Sequence, residues 1–70
     1  MAELKVFHDR VGATLTVWFA ESNDEVICEE TGDEVTLMKN KLGQVIGFEK
    51  LNYIVQDRDS LKVAVESEPV

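Results

Sequence analysis

One cysteine, one proline, one histidine, one tryptophan and one tyrosine are all that this chain of 70 residues holds of those types, and each scarcity closes a class of chemistry. A lone Cys28 excludes an internal disulfide, and with His8 as the single imidazole no four-ligand structural zinc set exists. The four glycines, Gly12, Gly32, Gly43 and Gly47, are scattered singly, so no loop cradles a phosphate and nucleotide binding of the common kinds is excluded. Basic residues are few. Seven Lys and Arg against fourteen Asp and Glu give a net charge of −7, a field that repels phosphate backbones, and no nucleic-acid partner is expected. The longest apolar run is Val17-Trp18-Phe19-Ala20, too short for a membrane span, and Met1 to Lys5 lack the basic and apolar regions of a signal peptide. The expectation is a cytoplasmic protein in a reducing compartment, with no membrane partner and no cofactor.

What is present is an ordinary globular balance of 44% hydrophobic and 30% charged residues. The chain reads as a single domain, 1–70, with its core in 3–66 and a frayed tail at 67–70. A core this small supplies roughly 3 to 5 kcal/mol without a disulfide, a metal or oligomerisation. With the first two missing from the sequence, a homodimer is expected.

Apolar positions alternate instead of recurring at helical spacing. Leu4 and Val6, then Ala13, Leu15, Val17 and Phe19, line one side of two strands, with Thr14, Thr16 and Trp18 on the other. His8-Asp9-Arg10-Val11-Gly12 between them reads as a hairpin connection closed by a glycine able to supply a positive φ. Residues 21–34 hold seven acids and no base, with a short strand at Val26-Ile27-Cys28 between turns at Ser22-Asn23-Asp24 and Thr31-Gly32-Asp33. A second hairpin follows, from Val35–Met38 through Lys39-Asn40-Lys41-Leu42-Gly43 to Gln44–Leu51. Gly47 inside its last strand requires a bulge or a large neighbour lying across it, and Trp18 is the one side chain of that size. Residues 51–58 stay open between a short helix and a strand continuation, and 61–66 alternate as a strand. The fold class expected is mainly β: a small antiparallel sheet of about five strands built from hairpins, α+β if the short helix forms. Trp18 and Phe19 point to opposite faces, so both faces carry large apolar groups, and either the C-terminal segment or a second copy must cover one.

Phe7-His8-Asp9, a short turn, Ala13-Thr14-Leu15-Thr16-Val17, an acidic strand and Leu42-Gly43-Gln44-Val45-Ile46-Gly47-Phe48-Glu49-Lys50-Leu51 together resemble the family called domain of unknown function 2283. The resemblance spans residues 4–52. It departs from the family pattern at His8, at Gly12 where an Asp is common, and at Thr16 where an aromatic is common. It implies a small antiparallel β domain that dimerises, carries over no catalytic residue and implies no activity.

Candidate chemistries are weighed against plainer roles. A Cys28–His8 thiolate pair needs hydrogen-bond reach and a depressed thiol pKa, which the acids around Cys28 oppose. Asp9, Asp24, Glu25, Glu29 and Glu30 match no cation-loop spacing. Asp57-Arg58-Asp59 starts like a calcium loop but lacks its glycine and closing glutamate, so no metal is expected. Glu49 reads as a structural carboxylate paired with Lys5, Lys39 or a backbone donor. Lys39, Lys41 and Lys50 read as edge-strand protection.

The function expected is that of a non-enzymatic acidic interaction module that self-associates through an apolar sheet face, with Trp18, Met38, Phe48 and Tyr53 as the contact residues. No catalytic or cofactor-binding residue is assigned. Two alternatives stand beside it: an acidic, antidote-like protein steered onto a basic protein partner, and a small enzyme with its site at a dimer interface.

Overall fold

The computed structural model describes residues 3–25, 27–56 and 60–69. Five antiparallel strands form one sheet: β1 (Lys5–Asp9), β2 (Thr14–Trp18), β3 (Ile27–Glu30), β4 (Val35–Lys39) and β5 (Val45–Lys50), in the order β1-β2-β5-β4-β3. The mainly β, hairpin-built expectation holds. The single helical element among the described residues is a 3-10 turn, Ser22–Asp24, where side-chain to backbone turn chemistry was expected.

The three hairpins have different local causes. At β1–β2 the turn starts after Asp9, whose Oδ1 accepts from the backbone N–H groups of Val11 (3.0 Å) and Gly12 (2.9 Å). His8 and Asp9 therefore belong to the strand, not to the connection. The positive φ falls on Ala13 (56°), not on Gly12. Gly12 leaves room for the Asp9 carboxylate, since a Cβ there would lie 2.8 Å from Oδ2 and displace the side chain that holds the turn. At β4–β5 the Asn40 side chain organises the turn by accepting from the N–H groups of Leu42 and Gln44, both at 3.0 Å, while Gly43 takes φ 79°. At β3–β4, Gly32 (φ 92°) and Glu34 (φ 61°) reverse the chain. Glu34 is held there by Lys50 Nζ at 3.2 Å and Asn52 Nδ2 at 2.9 Å.

Register assigns the side chains to faces, since directly opposed residues share a face. Val6, Val17, Phe48 and Leu37 form one row across β1, β2, β5 and β4. With Leu15, Val35, Ile46 and Phe19 they make a largely apolar face, on which the Phe19 and Phe48 rings meet at 6.0 Å and whose margins carry His8, Lys50 and the Lys39–Glu29 pair. The opposite face carries Trp18, Gly47 and Met38 in one row, and Phe7, Thr16, Glu49, Thr36 and Glu30 in the next. Trp18 does lie across Gly47: a Cβ on Gly47 would sit 2.7 Å from the indole Cε3 and 2.7 Å from the Val17 carbonyl oxygen. The β4–β5 register shifts between Met38 and Lys39, next to that glycine, so the sequence cue of an in-strand glycine marks both a bulge and a close neighbour.

In the C-terminal third one expectation fails and one open alternative is decided for its described part. Residues 61–66 form no strand, because none of them finds a strand edge to bond to. The described part of the 51–58 segment is not helical: Asn52 takes φ 55°, and the Tyr53 N–H is spent on the Ala13 carbonyl at 2.8 Å, which ties the chain to the β1–β2 turn. Residues 57–59, with the Asp57-Arg58-Asp59 motif, lie outside the described residues.

All extensive contacts between elements run between hydrogen-bonded neighbours, so the strands form one layer. Among the described residues three apolar side chains are buried: Val17 (9% exposed), Met38 (5%) and Ile46 (4%). The consequence is measurable in surface area. The chain exposes 5900 Å², whereas a compact protein of this mass exposes roughly 4,400 Å². Its radius of gyration is 13.6 Å against about 11 Å for a compact 70-residue domain.

Candidate interaction surface

The apolar face is set by β2 and β5, the inner strands on its phenylalanine side. Val17 is opposed by Val6 and Phe48, Leu15 by His8 and Lys50, and the half-buried Phe48 sits between Val17 and Leu37. Phe19 continues the alternation one residue past β2. Its N–H is held by the Ile46 carbonyl at 2.7 Å, yet its ring remains 49% exposed. The segment after β5 meets this face at one end. Tyr53 stacks edge-on against His8, ring centroids 5.6 Å apart, and Val55 and Leu61 are half-buried. Val63 and Val65 are exposed. The described tail thus covers the His8 corner and leaves the Phe19 end open.

The four contact residues expected from sequence fall on two faces. Phe48 and Tyr53 belong to the apolar face. Trp18 and Met38 belong to the opposite one, where Met38 is buried beside Gly47, and they add nothing to the Phe48 patch. Sequence reasoning missed Phe19, Leu37 and Val6, because their sharing a face with Phe48 depends on the β1–β2, β2–β5 and β4–β5 registers. Strand alternation alone gives each strand's two sides but not which side meets its neighbour's.

The remaining candidates are separated by the sheet. His8 lies on edge strand β1 with its side chain on the apolar face, and Cys28 on edge strand β3 points to the opposite face. Four strand spacings put them roughly 19 Å apart. Cys28 Sγ donates to Glu25 Oε2 at 2.7 Å. That bond, ahead of a small desolvation and the nearby Glu25 and Glu49 charges, pushes the thiol above its ordinary 9.0. A thiolate nucleophile needs the reverse. Within the atoms of His8, Nε2 is buried and makes no hydrogen bond. Glu49 accepts from the Thr16 hydroxyl at 3.4 Å instead of pairing with Lys5 or Lys39. Lys39 pairs with Glu29 (2.7 Å) and Lys50 with Glu34 (3.2 Å). Both lysines lie on inner strands, so they neutralise neighbouring acids and do not guard an edge as the sequence reading had it. Glu34 is held below its ordinary 4.5, first by the Asn52 amide and then by Lys50.

A cleft between the 3-10 turn and the β4–β5 turn is lined by Asn23, Asp24, Asn40, Lys41 and Leu42. Its central amide, Asn40, is committed to turn bonds, and no nucleophile is paired with a base there. Among the described residues, no three His, Cys, Asp or Glu side chains gather in metal-binding geometry. Within the same residues, no helix is long and apolar enough to cross a membrane. No family model, curated protein or solved structure matches the chain, and the site is therefore read from its own geometry.

Proposed function

We propose that this protein is a non-catalytic interaction module that works as a homo-oligomer, with the apolar sheet face of one copy covered by that of another. The observation that carries the reading is the single-layer sheet and its excess surface. Roughly 1,500 Å² more is exposed than a compact chain of this mass shows, an excess shared between the uncovered sheet and the exposed residues 60–69, and a standard interface needs about 800 Å² from each partner. Packing two such faces about 10 Å apart turns each sheet into half of a sandwich and supplies the second layer a single chain lacks. The resemblance of residues 4–52 to the domain of unknown function 2283 family supports the same picture of a small dimeric β domain, and a reducing cytoplasm suits its exposed thiol.

Light scattering tests it. A mass twice the monomer's that persists at high salt, and falls to the monomer's in Phe19→Glu, is the expected result. Phe19 is half exposed, so the substitution places a charge in the interface, and circular dichroism of the variant checks that the sheet is kept. A monomeric wild type at every concentration overturns the reading.

A second reading has its own observation. All four residues of β3 are exposed, and Glu29 and Glu30 on that edge lie close in sequence to Glu25 and Asp33. This acidic edge fits a basic protein partner, with binding that weakens steeply as salt rises. An affinity for a polylysine column that does not change with salt overturns it.

A further inference from the structure

We propose a second self-association surface, distinct from the apolar face: the free edge of β1 pairs antiparallel with β1 of another copy, with Phe7 on the two-fold axis. The backbone comes first. Phe19 donates to Ile46 and Leu51 donates to Glu34, which fixes the alternation of bonds across β2, β5 and β4. Carried to the β1–β2 pair, it turns the N–H and C=O groups of Lys5, Phe7 and Asp9 toward β2 and those of Val6 and His8 outward. Among the described residues no segment pairs with that outer edge.

The side chains make the edge complementary to itself. About an axis through Phe7, Val6 opposes the second copy's His8 as a hydrogen-bonded pair. Lys5 opposes the second copy's Asp9 on the same face as Phe7. Each of these contacts occurs twice. Among the described residues Lys5 makes no ion pair, and the Asp9 carboxylate is pinned by its turn bonds through Oδ1 alone. Phe7 is 63% exposed although it sits at the centre of a strand, and the pairing gives its ring the second copy's Phe7 as neighbour. The other edge offers no such match. β3 carries Glu29 and Glu30 and no cation, so two copies of it bring four carboxylates together.

This surface does not depend on the apolar-face contact. The edge axis is normal to the sheet and the face axis lies parallel to it, so the two interfaces use different symmetry operations and close into a tetramer where the two axes intersect.

Disulfide trapping reads the register directly. An antiparallel non-hydrogen-bonded pair has its Cα atoms about 4.5 Å apart, within disulfide range. In a Cys28→Ser background, Phe7→Cys, Lys5→Cys and Asp9→Cys are oxidised mildly in turn. The expected result is a covalent dimer from Phe7→Cys formed at least tenfold faster than from Lys5→Cys or Asp9→Cys. It should slow about tenfold when Lys5→Glu is added, and proceed unchanged when Phe19→Glu is added. Equal trapping at all three positions, or none at Phe7, overturns the edge pairing. Trapping that disappears only with Phe19→Glu assigns the contact to the apolar face and also overturns it. A monomeric Phe19→Glu protein that still traps through Phe7→Cys keeps the failure or success of the two interfaces separate.

Discussion

Replacing Gly47 with alanine tests the packing at the centre of the sheet. The added Cβ would meet the Trp18 indole and the Val17 carbonyl oxygen, each at 2.7 Å, closer than carbon atoms settle. The indole has room to tilt, but the carbonyl belongs to the backbone of β2, and moving it strains the ladder that joins β2 to β5. Overpacking of this kind costs about 1 to 3 kcal/mol. Removing a glycine from a strand returns about 0.5 to 1 kcal/mol of unfolded-state entropy. The net loss is between about 0 and 2.5 kcal/mol, with a middle value of about 1 kcal/mol, set against a total of roughly 3.5 to 10 kcal/mol for a domain of this length. For so small a domain a loss of about 1 kcal/mol lowers Tm by roughly 4 to 8 °C. Urea titration and thermal unfolding followed by circular dichroism read it. The two sources of strain separate in a double-mutant cycle: in a Trp18→Leu background the indole contact is gone and the Val17 contact remains, so Gly47→Ala should cost less there. A Gly47→Ala protein more stable than the wild type, or an equal cost in both backgrounds, refutes the assignment of Trp18 as the group lying on Gly47.

Three further outcomes are expected. Asp9→Ala removes the acceptor for the Val11 and Gly12 N–H groups and should destabilise by about 1 kcal/mol in the same unfolding assay, with Asp9→Asn recovering most of the loss because its amide oxygen still accepts. Cys28 is exposed, yet its thiol is held protonated by Glu25. Glu25→Gln should therefore speed its reaction with an aromatic disulfide at pH 8 and shift the rate profile to lower pH. Glu34 is more acidic folded than unfolded, so its contribution to stability is present above the unfolded value near 4.5 and fades as pH falls through the lower folded value. Glu34→Gln should accordingly lower the urea midpoint at pH 7, with the difference from wild type narrowing below pH 4.

Several features of the fold were legible from local chemistry. Alternation located β1, β2, β4 and β5 to within a few residues, and the isolated Gly47 pointed to Trp18, because a strand has one residue type that leaves such a gap and this chain has one side chain large enough to fill it. Other features depend on pairings that lie far apart in sequence. The alternating residues 61–66 have a strand's pattern but pair with neither open edge of the sheet, and pattern alone does not supply a partner. The positive φ of the first hairpin fell on Ala13 because Asp9 fixes the turn by its side chain, leaving Gly12 needed for room and not for its φ. The contact patch was half legible for the same reason: Phe48 and Tyr53 share a face, while Trp18 and Met38 were separated from them by a register that no single strand reveals. Lys39 and Lys50 were read as edge residues, and only the β1-β2-β5-β4-β3 order shows them to be interior.

The most direct test of the account is the molar mass in solution, measured by light scattering over a concentration series at low and high salt. The apolar-face reading predicts a dimer or a multiple of it that survives high salt, since burial of apolar surface is insensitive to screening. A particle of 7.9 kDa at every concentration would contradict it.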